Sequence, residues 1–275
     1  MPSIKEALSI ARSHIGDMAE NPLNEAYILL SHLLKKDRVY LFLHEDEELE
    51  NFKEYEELFL RREEGEPIEY ITKSVSFYSE EFFIDKGALI PRPETEILVD
   101  KVLEIVKRSD KEFLTIAEIG IGSGAISVML AKLLDNVKIF ATDISSSAIE
   151  IAKENINRFG VGDKIEVRKC SYLDKVDEDI DIIVSNPPYV ADDFKVKRPL
   201  EYEPKEAIFG GVNGHEVLEN IIDISAKRDI KYLVCEMGYD QKESVSALLK
   251  KSGFEDFDFY QDLSGLDRGF VAKRG

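Results

Sequence analysis

Short apolar segments of strand length alternate with helical patterns from Leu114 to the end of the 275-residue chain. Seven segments have the β-branched and apolar composition of strands: Leu114–Ile119, Lys138–Thr142, Lys164–Arg168, Ile180–Ser185, Tyr232–Glu236, Phe254–Tyr260 and Gly269–Lys273. Because parallel strands need helical crossovers, this alternation predicts an α/β fold with a mostly parallel, seven-stranded, Rossmann-like sheet. Ligands bind beyond the carboxyl ends of the strands in such sheets, so we expect a site at the strand-to-helix turns.

The chain before this region has a helical pattern. Between residues 4 and 64, apolar residues recur three and four positions apart, which predicts a small bundle of helices. Asn21 and Pro22 have the residue types of a helix cap and a first helical position, so they predict the start of the second helix. Gly65 and Pro67 predict the end of the last helix.

The segment VSFYSEEFFI, residues 75–84, separates the two regions. It contains aromatic and β-branched runs around Ser79-Glu80-Glu81, which is typical of a β-hairpin. We therefore expect a small N-terminal helical domain over residues 1–72, a hairpin linker over 73–90 and the α/β domain over 91–275.

The charge of the chain argues against some partners. It has 55 acidic and 36 basic residues, a formal net charge of −19, so we expect repulsion from phosphate backbones and no stable DNA binding. Between Glu45 and Glu66, eleven acidic residues stand against three basic ones, a local net charge of −8. A solvated helix face is the simplest interpretation, and a surface that attracts a basic partner is the alternative.

Other features of the composition predict a cytoplasmic protein without a metal. No apolar run approaches the ~20 residues that cross a bilayer, and the first twenty residues lack the apolar core of a secretory signal. Cys170 and Cys235 each lie beside an apolar run, which predicts reduced thiols in the core. The four histidines have no ligand spacing, so we expect no metal.

A glycine-rich turn, Gly120-Ile121-Gly122-Ser123-Gly124, follows the first α/β strand and precedes a helix. Glycine lets the backbone turn sharply and approach a ligand closely. The pattern also satisfies the loose dinucleotide fingerprint, with Asp143 nineteen residues after Gly124, where an acidic residue binds ribose. A nicotinamide enzyme therefore remains an alternative at this point.

Two acidic residues favour S-adenosylmethionine over a nicotinamide cofactor. Glu118, at the strand end, is placed to hold a cationic amino group, which the methionine part of S-adenosylmethionine has and a pyrophosphate lacks. The Asp143 carboxylate offers two acceptor oxygens to the ribose hydroxyls. The alternative for Asp143 is a cap of the next helix, although Ser145 is also placed for that role.

The segment Ser185-Asn186-Pro187-Pro188-Tyr189 directly follows an apolar strand. Two consecutive prolines remove two N–H donors and stop the strand, which frees the local carbonyls to face a ligand. The Asn186 side-chain oxygen and the Pro187 carbonyl can each accept one N–H of a planar NH₂ group, while the Tyr189 ring covers it. This pattern indicates methylation of an amide or aromatic amine nitrogen through positioning, without an acid–base pair. A simple Asx-Pro turn is the structural alternative.

These motifs resemble the PrmC/HemK family of protein-(glutamine-N5) methyltransferases, which modify the Gly-Gly-Gln glutamine of peptide-chain release factors. The likeness covers nearly the whole chain through its motifs: Phe77-Tyr78, Ile90-Pro91-Arg92-Pro93-Glu94-Thr95-Glu96, the glycine turn, Asp143, Asn186-Pro187-Pro188-Tyr189, Tyr202-Glu203-Pro204 and Asp267-Arg268. It implies a class I methyltransferase fold and a helical domain that helps to engage the release factor. Without the resemblance, the residue types of the Ile90–Glu96 motif predict only a helix that starts at Thr95-Glu96, with Arg92 exposed.

The resemblance also assigns roles to residues. Catalytic roles fall to Asn186, Pro187 and Tyr189, and contacts with S-adenosylmethionine to Glu118, Gly120, Ile121, Gly122, Ser123, Gly124, Asp143, Ile144, Ser171, Tyr172 and Asn186. Contacts with the acceptor fall to Asn186, Pro187, Pro188, Tyr189, Phe77 and Arg92. Glu118 stands where many relatives have Asp, and Tyr172 where relatives vary.

Other functions compete with this interpretation. The same motifs and chemistry occur in the sister enzyme that methylates a glutamine of a large-subunit ribosomal protein. An adenine-N6 DNA methyltransferase shares the Asn-Pro-Pro-Tyr motif, but the net charge and the lack of a basic segment argue against it. A non-catalytic module of the translation apparatus would leave the Asn186–Tyr189 segment unexplained.

Overall fold

The computed structural model describes residues 1–196 and 198–274, which fall into two compact units. The first comprises Met1–Ser74 and Val196–Tyr202, and the second Val75–Lys195 and Glu203–Gly275. The hairpin thus lies with the second unit. Within the described residues, no helix is long and apolar enough to cross a membrane.

The first unit is helical, as the spacing predicts. Its helices are α1 (Ile4–Ile15), α2 (Pro22–Leu34), α3 (Arg38–Leu43), α4 (Phe52–Glu63) and α5 (Ile68–Thr72). The Asn21 side chain accepts the Asn24 backbone N–H and Pro22 opens α2, as predicted. Apolar side chains of α1, α2 and α4 meet in one buried core, where the Tyr55 hydroxyl donates to the Ala26 carbonyl at 2.8 Å.

A second chain segment, 196–202, completes the first unit. The Arg198 guanidinium donates to the Glu64 carbonyl at 2.7 Å, and the Tyr202 hydroxyl donates to the same oxygen at 3.1 Å. The end of α4 is therefore held by residues that come more than a hundred positions later in the sequence.

The predicted hairpin is present, with strands β1 (Ser74–Phe77) and β2 (Glu80–Phe83). Its turn lies at Tyr78-Ser79, one residue earlier than the sequence pattern centred it, and these two residues have φ values of 55° and 61°. Positive φ at both central residues is the pattern of a type I′ hairpin turn, and non-glycine residues adopt it reluctantly. Tyr78 is held there by helix α6 (Thr95–Lys107), because its N–H donates to Glu96 at 2.7 Å and its hydroxyl to Asp100 at 2.6 Å.

The remaining strands are β3 (Leu114–Ile119), β4 (Val137–Asp143), β5 (Ile165–Lys169), β6 (Ile182–Ser185), β7 (Val190–Ala191), β8 (Phe209–Gly211), β9 (Tyr232–Glu236), β10 (Asp256–Gln261) and β11 (Asp267–Lys273). Seven of them form one sheet in the order β10-β11-β9-β6-β3-β4-β5, and β7 pairs with β8 separately. All pairings in the large sheet are parallel except those of β11. The mostly parallel seven-stranded sheet predicted from the sequence is confirmed.

Four further helices accompany the sheet: α7 (Ala125–Leu133), α8 (Ser146–Phe159), α9 (Glu216–Lys227) and α10 (Lys242–Lys251). Helix α7 packs on β4, α8 on β5 and α6 on β9. Strand β3 lies between β4 and β6: the chain runs from β3 through β4 to β5 on one side of it and then crosses to β6 on the other, so the strand order reverses at β3. Ligands bind at such a switch point, and the loops after β3, β4 and β6 all leave from its carboxyl edge.

Candidate active site

A cavity of about 370 Å³ opens at this carboxyl edge, within the size range of small-molecule sites. Its walls come from the loops after β3, β4, β5 and β6 and from the segment before α6. The predicted site residues that line it are Glu118, Gly120, Ile121, Gly122, Ser123, Asp143, Ile144, Ser171, Tyr172, Asn186, Pro187 and Pro188. Gly124, Tyr189, Phe77 and Arg92 are not among the lining residues.

The glycine turn wraps tightly around the end of β4. Gly120, Gly122 and Gly124 have φ values of 79°, 54° and 83°, a region that side chains rarely adopt. The N–H groups of Gly120 and Ile121 both donate to the Thr142 carbonyl at 2.9 Å. Gly124 serves helix packing, because a Cβ there would lie 3.3 Å from the Ala152 Cβ on α8.

Glu118 has a buried carboxylate with one unpaired oxygen. Its Oε2 accepts the Ser127 N–H at 3.0 Å and the Ser127 hydroxyl, which ties it to the first turn of α7. Its Oε1 is buried at the cavity and has no partner among the described residues. Burial raises the Glu118 pKa to about 8, against the opposing effect of the Ser127 hydrogen bonds. A cation that reached Oε1 would give this oxygen the partner it lacks and favour the ionised form of Glu118.

Asp143 holds the glycine turn as well as facing the cavity. Its Oδ2 accepts the Gly122 N–H at 3.0 Å and its Oδ1 the Ser145 N–H at 2.8 Å. Each oxygen keeps a second lone pair for a ligand hydroxyl. The cap of α8 is Ser145, whose hydroxyl accepts the Ala148 N–H at 3.3 Å, so Asp143 does not fill that role. Partial burial raises the Asp143 pKa, while the backbone donors lower it.

The far wall of the cavity is less polar. Tyr172, in a positive-φ conformation, packs against the core, and its hydroxyl accepts from Asn220 at 3.0 Å. Ile144, which also lines the cavity, is 58% exposed. Cys170 corrects one expectation: it is half-buried at the cavity rather than in the core, because it lies in the loop after β5, whereas Cys235 is buried within β9. Neither cysteine forms a disulfide.

The residue that precedes the Asn186–Tyr189 segment fixes it beside the glycine turn. Ser185 is fully buried, and its hydroxyl donates to the Ile119 carbonyl at 2.6 Å, next to the glycine turn. The Asn186 Nδ2 donates to the Thr95 hydroxyl at 3.1 Å. Among the described residues, no donor is paired with the Pro187 carbonyl. Two acceptor oxygens, Asn186 Oδ1 and Pro187 O, are thus left for a ligand.

Tyr189 lies beyond the cavity wall. Its backbone carbonyl accepts Gln241 Nε2 at 2.9 Å, and Gln241 Oε1 accepts the Gly238 N–H at 2.9 Å. Two glycines pack against the same segment. A Cβ at Gly210 would collide with the Pro188 carbonyl and a Cβ at Gly214 would lie 2.6 Å from the Tyr189 carbonyl, so both positions require glycine. Burial raises the pKa of the Tyr189 hydroxyl, so it is neutral at physiological pH.

Arg92 is not exposed, contrary to the expectation from the sequence. Its guanidinium pairs at 2.5 Å with Glu203, a carboxylate that is only 1% exposed and also accepts the Ile90 N–H at 3.0 Å. The partner comes from a distant segment, so local sequence did not reveal it. Phe77 is fully buried against Phe82, with ring centroids 5.9 Å apart, and its predicted contact with the acceptor stays a prediction.

Asn155 is a residue that the sequence reasoning missed. It is fully buried on α8 and makes three hydrogen bonds of 2.8 Å: its oxygen accepts the Phe83 N–H, and its Nδ2 donates to the carbonyls of Phe83 and Ser123. It thereby joins the hairpin to the glycine turn. A polar residue between Ala152 and Ile156 in the apolar stripe of α8 was the available signal.

The polar atoms of the cavity fit S-adenosylmethionine better than a dinucleotide. A buried unpaired carboxylate oxygen on Glu118 suits an ammonium group, while a pyrophosphate would bring further negative charge beside Glu118 and Asp143. No group of three His, Cys, Asp or Glu side chains within the described ranges is arranged to hold a metal.

Two solved structures have a fold similar to that of this chain. The ribosomal protein L11 methylase from Lactobacillus delbrueckii subsp. bulgaricus matches with a TM-score of 0.50 and 23% identity, over 70% of this chain and 83% of that one. The N-terminal domain of human METTL16, solved in complex with SAH, matches with a TM-score of 0.52 and 18% identity, over 70% and 75% of the two chains. At these identities the likeness shows the fold alone.

Comparison of sequences identifies the family. Residues 6–72 match the PrmC N-terminal domain, and residues 94–200 match the methyltransferase small domain. The chain is 34% identical over 284 residues to the release factor glutamine methyltransferase of Clostridium acetobutylicum, and the match covers 99% of each protein. A likeness of this extent spans the helical bundle, the glycine turn and the Asn186–Tyr189 segment together. The chain belongs to the family of release factor glutamine methyltransferases.

Proposed function

We propose that this protein methylates the side-chain amide nitrogen, N5, of the glutamine in the Gly-Gly-Gln motif of peptide-chain release factors, with S-adenosylmethionine as the methyl donor. One observation carries the proposal. Asn186 and Pro187 line the same cavity as the glycine turn, and their Oδ1 and carbonyl oxygens have no donor among the described residues. That arrangement suits a planar NH₂ group beside a methyl donor.

The cofactor supplies a methyl group on a positively charged sulfur, which makes it electrophilic. The chain holds the cofactor from three sides in this proposal. Glu118 Oε1 accepts from the amino group of its methionine part, and Asp143 accepts from the ribose hydroxyls. Tyr172, Ile144 and Ser171 border the adenine. The positive-φ glycines keep the turn free of side chains where the backbone meets the cofactor.

Asn186 and Pro187 orient the acceptor nitrogen. An amide nitrogen is a weak nucleophile because its lone pair is delocalised into the carbonyl. When Asn186 Oδ1 and Pro187 O each accept one of its hydrogens, the nitrogen is held with its lone pair directed at the methyl group. Transfer of the methyl group would form the C–N bond as the donor's S–CH₃ bond breaks and its sulfonium becomes a neutral thioether. The methylated nitrogen, now acidic, would lose its proton to water, so catalysis rests on positioning and charge placement. Contact between the Tyr189 ring and the acceptor stays a prediction, since Tyr189 is not among the residues that line the cavity.

The helical unit and the acidic stretch 45–66 are proposed to engage the release factor. Chemistry on a small amide uses residues of the second unit, so a separate helical unit is available for recognition of a large acceptor. Several acidic side chains of the stretch are exposed, among them Asp46, Glu47, Glu50 and Glu57. They suit an acceptor with basic surface, such as a protein that docks on ribosomal RNA. The protein then acts in the cytoplasm, where its acceptor works.

A ribosomal protein glutamine is the nearest competing acceptor, because the chemistry is the same. The release factor glutamine methyltransferase of Clostridium acetobutylicum matches over 99% of each chain, which favours a release factor as the acceptor. Duplex DNA is disfavoured as an acceptor by the net charge of −19.

A labelling assay tests the acceptor. Purified protein and tritiated S-adenosylmethionine are incubated separately with release factor, large-subunit ribosomal proteins and duplex DNA, and protein- or DNA-bound tritium is counted over time. Release factor is expected to be labelled far faster than the other two. Faster labelling of ribosomal protein or DNA would reject the proposed acceptor.

Replacement of the key side chain tests the mechanism. Asn186→Ala is expected to keep the fold and most of the affinity for S-adenosylmethionine but to lose methyl transfer, because one acceptor oxygen is gone. Asn157→Ala, an exposed asparagine on α8, is the matched control. Turnover by Asn186→Ala close to that of the control would refute the role of Asn186.

A further inference from the structure

The turn between β10 and β11, residues 262–266, displays two leucines to solvent. Leu263 is fully exposed, and Leu266 is 42% exposed. The Asp267-Arg268 motif follows this turn directly, and the proposed function leaves that motif without a role. Exposed apolar side chains that gather beside an active site are typical of an interaction surface.

The carboxylate of Asp262 holds the turn in one conformation. Its Oδ1 accepts the N–H groups of Ser264 at 2.8 Å and Leu266 at 3.0 Å, and its Oδ2 accepts Arg268 Nε at 2.7 Å. The Asp262 N–H donates to the Leu266 carbonyl at 2.9 Å. Side chains on a turn that is fixed in this way lose little backbone entropy when they bind a partner. Arg268 thus helps to fix the turn that carries the two leucines.

The charged side chains of the turn are paired with one another or with a neighbour. Asp262 forms the ion pair with Arg268 at 2.7 Å, and Lys242 Nζ lies 3.1 Å from Asp267. Because each of these carboxylates has a cation beside it, the turn presents an apolar and nearly neutral surface in a chain whose net charge is −19. Such a surface suits an apolar partner more than a basic one.

Sheet topology places the turn at the same edge as the Asn186–Tyr189 segment. Strand β9 is parallel to β6, β11 is antiparallel to β9, and β10 is antiparallel to β11. The end of β10 and the beginning of β11 therefore lie at the carboxyl edge of β6 and β9. The glycine turn and Asp143 follow β3 and β4, on the other side of β6 in the strand order. The leucines thus lie on the side away from the proposed cofactor contacts.

The loop after β9 carries a third exposed apolar side chain, Tyr239, which is 60% exposed. This loop is bonded on both sides. Gln241 Nε2 donates to the Tyr189 carbonyl at 2.9 Å, and the Met237 N–H donates to the Arg268 carbonyl at 2.9 Å. An exposed aromatic ring therefore lies on the loop between the end of β6 and the two leucines in the strand order.

We propose that Tyr239, Leu263 and Leu266 form a docking surface for the polypeptide that carries the target glutamine, and that they bind apolar side chains close to that glutamine. The inference rests on the proposed function, in which Asn186 and Pro187 hold the glutamine amide. Adjacent strands are about 4.8 Å apart, so the three steps from β6 to β10 span about 14 Å. An extended acceptor chain covers this distance in about four or five residues.

A second copy of this chain is a poorer occupant of the docking surface. Two copies would each bring a net charge of −19 and would repel one another. A polypeptide acceptor with apolar side chains has no such cost. Its path is also continuous with the cavity, because the glutamine that it carries must reach Asn186.

Photo-crosslinking tests the position and the identity of the occupant. Leu263 is replaced by p-benzoylphenylalanine in the full chain, which is irradiated with release factor and S-adenosylhomocysteine, and the crosslinked peptides are identified by mass spectrometry. Phe113 carries the same replacement in the control, because it is 56% exposed directly before β3, at the opposite edge of the sheet. Position 263 is expected to crosslink to release factor within about six residues of the target glutamine, and position 113 is not.

Steady-state kinetics test the contribution of the leucines. Leu263→Ser should raise the KM for release factor about tenfold, and the double variant with Leu266→Ser about 10- to 100-fold, because these contacts bury apolar surface. The kcat should stay within about twofold, since the surface does not touch the reacting nitrogen. The increase in KM should be the same at low and high salt. Phe113→Ser should have wild-type kinetics, and all variants should keep the wild-type cofactor affinity and thermal unfolding.

Two results would overturn the inference alone. One is a wild-type KM in the double leucine variant. The other is a crosslink from position 263 to a second copy of the chain, or to a part of release factor remote from the glutamine. Absence of methylation of release factor by the wild-type protein would instead overturn the proposed function, and this inference with it.

Discussion

Asn155→Ala should remove the hydrogen bonds that link the hairpin to the glycine turn. The Asn155 side chain is fully buried and makes three hydrogen bonds of 2.8 Å, two to Phe83 and one to the Ser123 carbonyl. Alanine removes all three and leaves the N–H and carbonyl of Phe83 and the Ser123 carbonyl without this partner. At about 0.5–1.5 kcal/mol for each of the three bonds, the expected loss in the free energy of unfolding is about 1.5–4.5 kcal/mol.

The same change should weaken binding of S-adenosylmethionine. Ser123 lies in the cavity wall, and a glycine turn that has lost this support must be ordered when the cofactor binds. If about 1.4 kcal/mol of the lost energy is required at that step, the dissociation constant rises about tenfold. Denaturant unfolding measures the stability, and isothermal titration calorimetry measures the affinity.

Asn157→Ala is the control for this change, because Asn157 is exposed two residues along the same helix. It should unfold and bind like the wild type, since exposed substitutions rarely change stability by more than about 0.5 kcal/mol. Wild-type stability and affinity in Asn155→Ala would refute the claim that this side chain supports the glycine turn.

Further predictions concern the cofactor and the acceptor. Asp143→Ala should weaken cofactor binding by about 1.5–3 kcal/mol in calorimetry, because the ribose hydroxyls lose an ionised acceptor; an unchanged dissociation constant would deny that contact. Burial raises the Glu118 pKa to about 8, and a cationic ligand favours the ionised carboxylate, so the affinity for the cofactor should fall as the pH drops below about 8. Glu118→Gln should remove this pH dependence. A wild-type pH profile of affinity in the variant would contradict the proposed contact. The triple variant Glu47→Gln, Glu50→Gln and Glu57→Gln should have a higher KM for release factor than the wild type at low salt, and its KM should depend less on salt. Wild-type kinetics at all salt concentrations would exclude these side chains from recognition.

The sheet could be predicted because its central strands are buried on both faces. Continuous apolar runs such as Leu114–Ile119 and Tyr232–Glu236 have the same bounds in the sequence pattern and in the structure. The glycine turn and the Asn186–Tyr189 segment follow such strands directly, so topology alone brings them to one edge. Asn21 was also predictable as a cap, since its role depends only on its near neighbours.

Features that depend on distant partners could not be predicted in this way. Arg92 finds its partner in Glu203, 111 residues later, and Tyr78 is held in the hairpin turn by Glu96 and Asp100 of α6. Glu236 looked like the end of an apolar strand, and only the register of β6 and β9 places it beside Asn186. A single sequence gives the type and the neighbourhood of these residues, whereas tertiary contacts decide their role.

The central claim is that the methyl group arrives on one amide nitrogen of a release factor. The most direct measurement is fragmentation mass spectrometry of release factor after incubation with the protein and S-adenosylmethionine. The peptide with the Gly-Gly-Gln motif should gain the mass of one methylene group, with the gain located on the glutamine side chain. The gain should be absent with Asn186→Ala and with a release factor whose glutamine is replaced. A methyl group on any other residue, or an unmodified release factor beside a labelled ribosomal protein, would contradict the account.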